Sequence, residues 1–350
     1  MDNYPLMCYT IVTEAKNHCT KRRITMNNNT EQITMNFIEN RDTIKKVMKL
    51  ESSYIYPVAA NVFCAAGVRA DENKLRQCRD IIKKNAGFAS YLKGTILPVF
   101  TAKLAVADAP EAQFAKVMDM YAILKKHFSR SEYLAFLATL LAEKATAEEA
   151  EYIAARGRAL YNMMKKEHPI LTSSEDNIMA GFMAFSEKND QQLMAEAEKC
   201  FELLRRKFSD KNAVQTVSHI LAMTGGAPEE KAGRLFRMFD MLAAAGHKYG
   251  KHYELSTLAA ISVIEADEKV LVDTVIDIDN RLSGQKGYGA LSLDKKTRLM
   301  HAAMLTADLY EGTDNAQAAV SASTLAIIAA QEAAVVAAIV AVTAANNASC

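Results

Sequence analysis

Leu124-Lys125-Lys126-His127-Phe128-Ser129 and Leu204-Arg205-Arg206-Lys207-Phe208-Ser209 are one phrase written twice, 80 residues apart. Met164-Lys165-Lys166 falls midway between them, Ile82-Lys83-Lys84 lies one interval earlier, and Leu242 and Leu282 carry the series onward. The letters drift, but the spacing near 40 residues holds. A period of that length marks stacked supersecondary units, each unable to bury its apolar face alone.

Within each period the sequence reads as an amphipathic helix A, a short polar corner and a more apolar helix B. One helix A is expected from about Gln113 to Phe128, with Phe114, Val117, Met118, Tyr121 and Leu124 at helical spacing. Ser129-Arg130-Ser131 interrupts it. Tyr133, Leu134, Phe136, Leu137, Leu140 and Leu141 then make a helix B apolar almost all round, as burial between neighbouring units requires. Further copies run over 196–208 with 212–223, 232–245 with 253–264, and 270–282 with 296–305; a degenerate opening copy spans 36–49 and 54–66. Turn formers such as Gly225-Gly226-Ala227-Pro228 separate the units. The expected fold is all-α: a right-handed helical-hairpin array, or α/α solenoid, of six to seven units across 31–312. A closed α/α toroid is the rival arrangement of the same hairpins.

Composition agrees with helix nearly throughout. Glycine (14) and proline (6) are scarce, tryptophan is absent, and half of the 350 residues are apolar. The net charge of +1 excludes a global field that recruits nucleic acid or anionic membrane, so a charge-driven partner must be read from local clustering. Cys8, Cys19, Cys64, Cys78, Cys200 and Cys350 are scattered and form no C-x-x-C pair, which argues against a zinc site or a disulfide framework and for a reducing cytoplasm. Residues 1–30 read as a poorly ordered extension without a signal peptide. The alanine-rich tail, 313–350, carries Ile327, Ile328, Val335, Val336, Ile339 and Val340 and reads as a terminal packing or self-association helix. A membrane span is the weaker alternative there, because Glu332 would sit near its centre at about 2.5–3.5 kcal/mol.

Four ordered motifs carry a resemblance. They are His168-Pro169-Ile170-Leu171-Thr172-Ser173-Ser174-Glu175-Asp176, Lys211-Asn212-Ala213-Val214-Gln215 with Ser218-His219, Lys248-Tyr249-Gly250-Lys251 with Tyr253-Glu254-Leu255, and Gln285-Lys286-Gly287-Tyr288-Gly289. Over roughly residues 35–310 the chain resembles the uncharacterised bacterial family known as domain of unknown function 4003. The resemblance implies a cytosolic bacterial protein, commonly from Firmicutes, and transfers no catalytic residue.

Three constellations hold the candidate chemistry. The first is the A-to-B corner, where stacking makes chain-distant residues neighbours. His168, Glu175 and Asp176 are the catalytic alternative there, and His168, Asp176, His219 and His252 the metal-binding alternative. Capping competes with both. Thr172-x-x-Glu175 fits a capping box, and Ser131 and Asn212 are natural N-caps. His219, mid-helix among Val214, Val217, Ile220 and Leu221, is expected in the core with its ring nitrogens partnered.

The second constellation is the dibasic ladder of Lys83-Lys84, Lys125-Lys126, Lys165-Lys166 and Arg205-Arg206, each pair closing a helix A. Cations at a helix C-terminus gain about 0.3–1 kcal/mol from the macrodipole. The same column offers a stripe for an acidic partner. The third is the pair of glycine corners, Gly246 to Lys251 and Lys286 to Gly289. Their glycines permit left-handed turns, and Lys248, Tyr249 and Lys251 are further ligand candidates. Such corners also suit phosphate, although no P-loop order is present.

No recognisable catalytic set or cofactor motif assembles. The expected function is therefore a non-enzymatic scaffold for a peptide or protein, acidic if the ladder serves it. An enzyme or small-ligand or metal-binding protein using the corner residues is the alternative.

Overall fold

The computed structural model describes residues 29–49, 51–85, 92, 94–173, 176–289 and 292–310, apart from the side chains of Glu132 and Tyr133. Among them the chain is all-helical, with fourteen helices and no strand. These are α1 (29–47), α2 (Ile55–Ala65), α3 (Glu72–Lys84), α4 (Leu97–Val106), α5 (Pro110–His127), α6 (Glu132–Lys144) and α7 (Ala147–Glu167). There follow α8 (Asp176–Met183), α9 (Asp190–Leu204), α10 (Lys211–Ala222), α11 (Pro228–Ala244), α12 (Leu255–Ser262), α13 (Glu268–Ser283) and α14 (Lys295–Leu309). The expected N-terminal extension and the alanine-rich tail lie outside the described residues, except that α1 already includes Thr30, buried at 2% exposure.

Local chemistry starts these helices where the sequence allows. Asp71, Ser131, Asn189, Asp210, Asp267 and Asp294 each accept a backbone N–H of the first turn, and Pro110 and Pro228 open α5 and α11. Among the described residues Thr146 with Glu149 forms a full capping box. Thr172 instead donates its hydroxyl to Met164 O at 3.2 Å, and Glu175 lies outside the described residues. Asp210, not Asn212, caps α10; the Asn212 N–H is one of the donors it satisfies.

Burial divides the helices into two kinds. The odd-numbered ones bury one stripe, as α7 does with Ala150, Ile153, Ala154, Gly157, Leu160 and Met164. The even-numbered ones are buried on every side: in α12 all eight residues are, and in α10 so are Ala213 to Leu221 apart from the half-buried Thr216. Even-numbered helices contact one another in the succession α2–α4–α6–α8–α10–α12–α14, and α14 returns to α2. The odd-numbered helices follow the same course from α3 to α13. There α1 joins both neighbours: Thr30 bonds Asp277 and Glu31 pairs with Arg281 at 3.5 Å on α13, while Lys46 pairs with Glu72 at 2.5 Å on α3.

The first and last helices of this succession touch. An open stack leaves two end faces to be covered, and the tail was expected to cover one. Here Asn61 of α2 donates to Asp308 of α14 at 3.3 Å, and Phe37 of α1 meets the His301 ring at 6.0 Å, so first and last hairpins cover each other.

The hairpins approach closely where side chains vanish. Gly157 of α7 faces Gly181 of α8: a Cβ on Gly157 would stand 3.2 Å from Gly181 Cα. A Cβ on Gly181 would stand 2.3 Å from Leu137 Cδ2 of α6. Gly181→Ala gains about 0.5–1 kcal/mol in helix propensity and costs about 1–3 kcal/mol in overpacking, so a net loss of stability is expected in urea melts. In a Leu137→Ala background the steric part should disappear and the sign reverse.

Candidate functional site

The A-to-B corners carry every sequence-derived candidate, and the geometry sorts them into ties, caps and exposed charge. At the ends of α5, α7, α9 and α11 a basic side chain reaches an acid of the next odd-numbered helix. His127 Nε2 lies 2.9 Å from Glu151, His168 Nε2 lies 2.8 Å from Glu198, Lys207 Nζ lies 2.6 Å from Asp240, and His247 Nδ1 lies 2.8 Å from Asp279. These four residues recur at intervals near 40: His127 and Lys207 directly follow a dibasic pair, His168 stands two positions past Lys166, and His247 follows no pair. Variation between His and Lys and the drifting register hid the signal. His252 forms a similar tie to the α10 N-cap Asp210, at 2.7 Å, and is exposed.

His168 and His219 are electrostatic neighbours at the corner joining α7, α8 and α10, and Gln215 links Asp176 to that corner. Gln215 of α10 donates to Thr172 Oγ1 at 3.2 Å and to Asp176 Oδ1 at 3.4 Å, and Asp176 Oδ2 accepts the Ser173 N–H at 2.7 Å. His219 sits one turn deeper, wholly buried. Burial pushes its imidazole down to about 3, and the neighbouring His168 opposes protonation further. His219 is thus the core residue expected, but its Nδ1 has no partner. His252 lies elsewhere on the edge, tied to Asp210, so the four proposed metal ligands do not converge. Among the described residues no three His, Cys, Asp or Glu groups stand together as a metal would need.

The dibasic ladder is partly consumed by the fold. Lys126 pairs with Glu151 at 2.8 Å, and Lys125 lies over the Tyr121 ring at 5.4 Å. Lys165 donates to the Pro169 and Thr172 carbonyls, both at 2.6 Å, and so holds the corner itself. Arg205 pairs with Glu202 at 2.9 Å; it lies beyond Leu204, where α9 ends, so this pair follows its helix instead of closing it. Lys166 and Arg206 are exposed.

Of the glycine-corner candidates, Lys248 and Lys251 are exposed, Lys251 reaching over the Phe239 ring at 5.8 Å. Tyr249 is not available to a ligand. It is buried, and its hydroxyl is 2.6 Å from Thr257 Oγ1. Gly246 and Gly287 take positive φ (85° and 98°) as the turns require. Gly250 instead admits the buried Glu254: a Cβ there would lie 2.3 Å from the carboxylate oxygen.

Sequence reading missed a set of cations at the opposite ends of the inner helices, where carbonyls lack partners. Arg156 of α7 donates to Ala184 O at 3.0 Å beyond α8 and pairs with Asp190 at 2.7 Å. Lys231 reaches Leu221 O at 2.7 Å and Thr224 O at 3.0 Å beyond α10, and Arg234 reaches Ile264 O at 2.9 Å beyond α12. Cations there satisfy orphan carbonyls and complement the helix dipole.

A protein of paired helices whose corner end gathers ion-paired and exposed charge is the class these observations define. The chain belongs to the family described as protein of unknown function (DUF4003), which residues 40–334 match. The uncharacterized protein YeaA of Bacillus subtilis (strain 168) is 26% identical over 268 residues, which is 72% of this chain and 80% of that protein. No solved structure matches. No helix among the described residues is long and apolar enough to cross a membrane.

Proposed function

We infer that this is a non-enzymatic helical-repeat protein of the bacterial cytoplasm that binds a peptide or protein partner, acidic in character, along its corner end. Seven hairpins closed as an α/α toroid are the arrangement that the α14–α2 and α13–α1 contacts support, in preference to an open solenoid. The observation that carries the reading is the division of labour at the corners. Histidines and acids are used as ties between successive outer helices, while Lys166, Arg206, Lys248 and Lys251 remain exposed along that same end. Self-association through the alanine-rich tail accompanies this proposal.

The probe is a fluorescent poly-glutamate peptide, followed by anisotropy at rising salt. Binding should weaken steeply, since surface attraction is screened beyond about 8 Å at physiological ionic strength. Lys125→Ala with Lys126→Ala, Lys166→Ala and Arg206→Ala should remove most of the salt dependence and leave helicity unchanged. Lys165 stays in place because it holds the corner backbone. Equal, salt-insensitive binding by this variant would return the ladder to a capping role.

A second reading rests on the α7–α10 corner, where Gln215 bridges Thr172 and Asp176 above the unpartnered His219 Nδ1. A small polar ligand held there by Asp176 and the His219 ring is tested by thermal-shift screening of the purified protein. Stabilisation by such a ligand, lost on His219→Gln, would favour this reading over the scaffold.

A further inference from the structure

The seam between the first and last hairpins holds a concave volume of about 450 Å³, lined by Arg41, Lys45, Lys46 and Lys49 of the first hairpin and by Lys286 and Gly287 of the last. Asp42 is the single acid in its wall. We propose that this groove is a binding site for a pyrophosphate-bearing ligand, inorganic or nucleoside diphosphate.

The charges converge by fold, not by chain. Arg41 and Lys45 stand one turn apart on α1, Lys49 lies just beyond that helix, and Lys286 arrives from the corner between α13 and α14. Asp42 accepts the Arg41 Nε and Nη2 at 2.9 and 2.8 Å, and Glu72 pairs with Lys46. Lys45, Lys49 and Lys286 have no carboxylate partner among the described residues. Three ammonium groups around one concave volume balance the roughly three negative charges of a diphosphate ester.

Dipole stabilisation accounts for cations in the last turn of α1, at about 0.3–1 kcal/mol each. It does not account for Arg41, whose side chain is only 7% exposed. Its Nη1 is buried without a hydrogen-bond partner, and a Cβ added to Gly287 would stand 3.2 Å from it. Gly287 takes φ 98°, which lets the corner pass directly over the guanidinium. An unmet charged donor is costly when buried, and an oxyanion seated in the groove that Arg41 and Gly287 both line would help to meet it. The volume falls within the 300–1,000 Å³ usual for small-molecule sites.

Calorimetric titration of the full chain tests this, with inorganic pyrophosphate, ADP, AMP and sulfate as separate arms at fixed salt. Pyrophosphate or ADP should bind saturably, at least tenfold tighter than AMP or sulfate. ADP tighter than pyrophosphate identifies a nucleotide as the natural source; the reverse identifies the inorganic ion. Lys45→Glu with Lys49→Glu and Lys286→Glu should weaken binding 100-fold or more. The single changes Lys45→Gln and Lys286→Gln, both at exposed positions, keep the test available if the triple variant misfolds, with losses of about fivefold each expected. Gly287→Ala should also weaken binding, without changing charge. Absence of saturable binding, sulfate binding as tightly as pyrophosphate, or variants binding like the parent overturns the proposal. Lys166→Ala with Arg206→Ala is expected to leave this site unaffected, so its failure and that of the corner-edge reading are told apart.

Discussion

Arg298→Met should lower the stability of this protein by about 3–5 kcal/mol, the range for removing one partner of a buried ion pair. Asp279 of α13 is 1% exposed and has two basic partners. Arg298 of α14 approaches both carboxylate oxygens, at 2.6 and 3.0 Å, and His247 approaches one at 2.8 Å from the corner after α11. The carboxylate thus binds its own hairpin together and ties it to the preceding one. Removing Arg298 leaves a desolvated charge with one neighbour. Adding Asp279→Leu to Arg298→Met should recover much of the loss, because two well-packed apolar groups replace an uncompensated charge. Urea melts of the two single variants and the double variant form the cycle that measures this. Additive losses would show that the pair is not coupled.

Acid should destabilise the protein well before its carboxylates titrate. His219 and His301 are wholly buried, and desolvation holds both imidazoles down to about 3, with Arg41 opposing protonation of His301 as well. The His301 Nδ1 lies 2.9 Å from the Tyr288 hydroxyl, and its Nε2 has no partner. In the unfolded chain both rings titrate near 6.5. Above that pH neither state binds the proton and stability is level. Below it the unfolded state binds two protons and the folded state none, so stability falls by up to about 1.4 kcal/mol per pH unit for each ring. Between pH 7 and 5 the pair should remove about 4 kcal/mol, a large part of the 5–15 kcal/mol typical of a folded domain. Unfolding free energies at pH 7 and pH 5 read this directly. His219→Gln with His301→Gln should flatten the slope even if it costs stability at pH 7. An unchanged slope would mean that neither ring is buried neutral.

The comparison of sequence with structure turns on what repeats. Apolar spacing in 113–128 and the continuous apolar run at 134–141 determined α5 and α6, because a helix half-buried and a helix wholly buried write different patterns. The same contrast marked α9 to α14, with boundaries displaced by several residues at the start of α9. Ser131 was legible as a cap since an N-cap needs only its own first turn. Asp210 was passed over for Asn212, two positions on, because both are good caps and only the φ/ψ of the turn chooses.

The candidate site was legible as residue types at corners, and no further. That His168 and His219 lie together while His252 pairs with Asp210 depends on which hairpins face each other, and a period says nothing of that. Tyr249 offered an aromatic group for a ligand, but the turn at Gly246 folds it inward onto Thr257.

By itself, then, the sequence determined that the chain is helical and where many of its helices lie, both consequences of local propensity and of the need to bury an apolar stripe. Only the tertiary structure decided that α14 returns to α2, since the turn of each hairpin on the next accumulates over the whole chain and no local pattern encodes its sum. From that closure come the partners of Asn61, Thr30 and Phe37, and the meeting of Arg41, Lys45 and Lys49 with Lys286 and Gly287. Residues more than 200 positions apart share that groove because α14 and the corner before it pack against the first two helices.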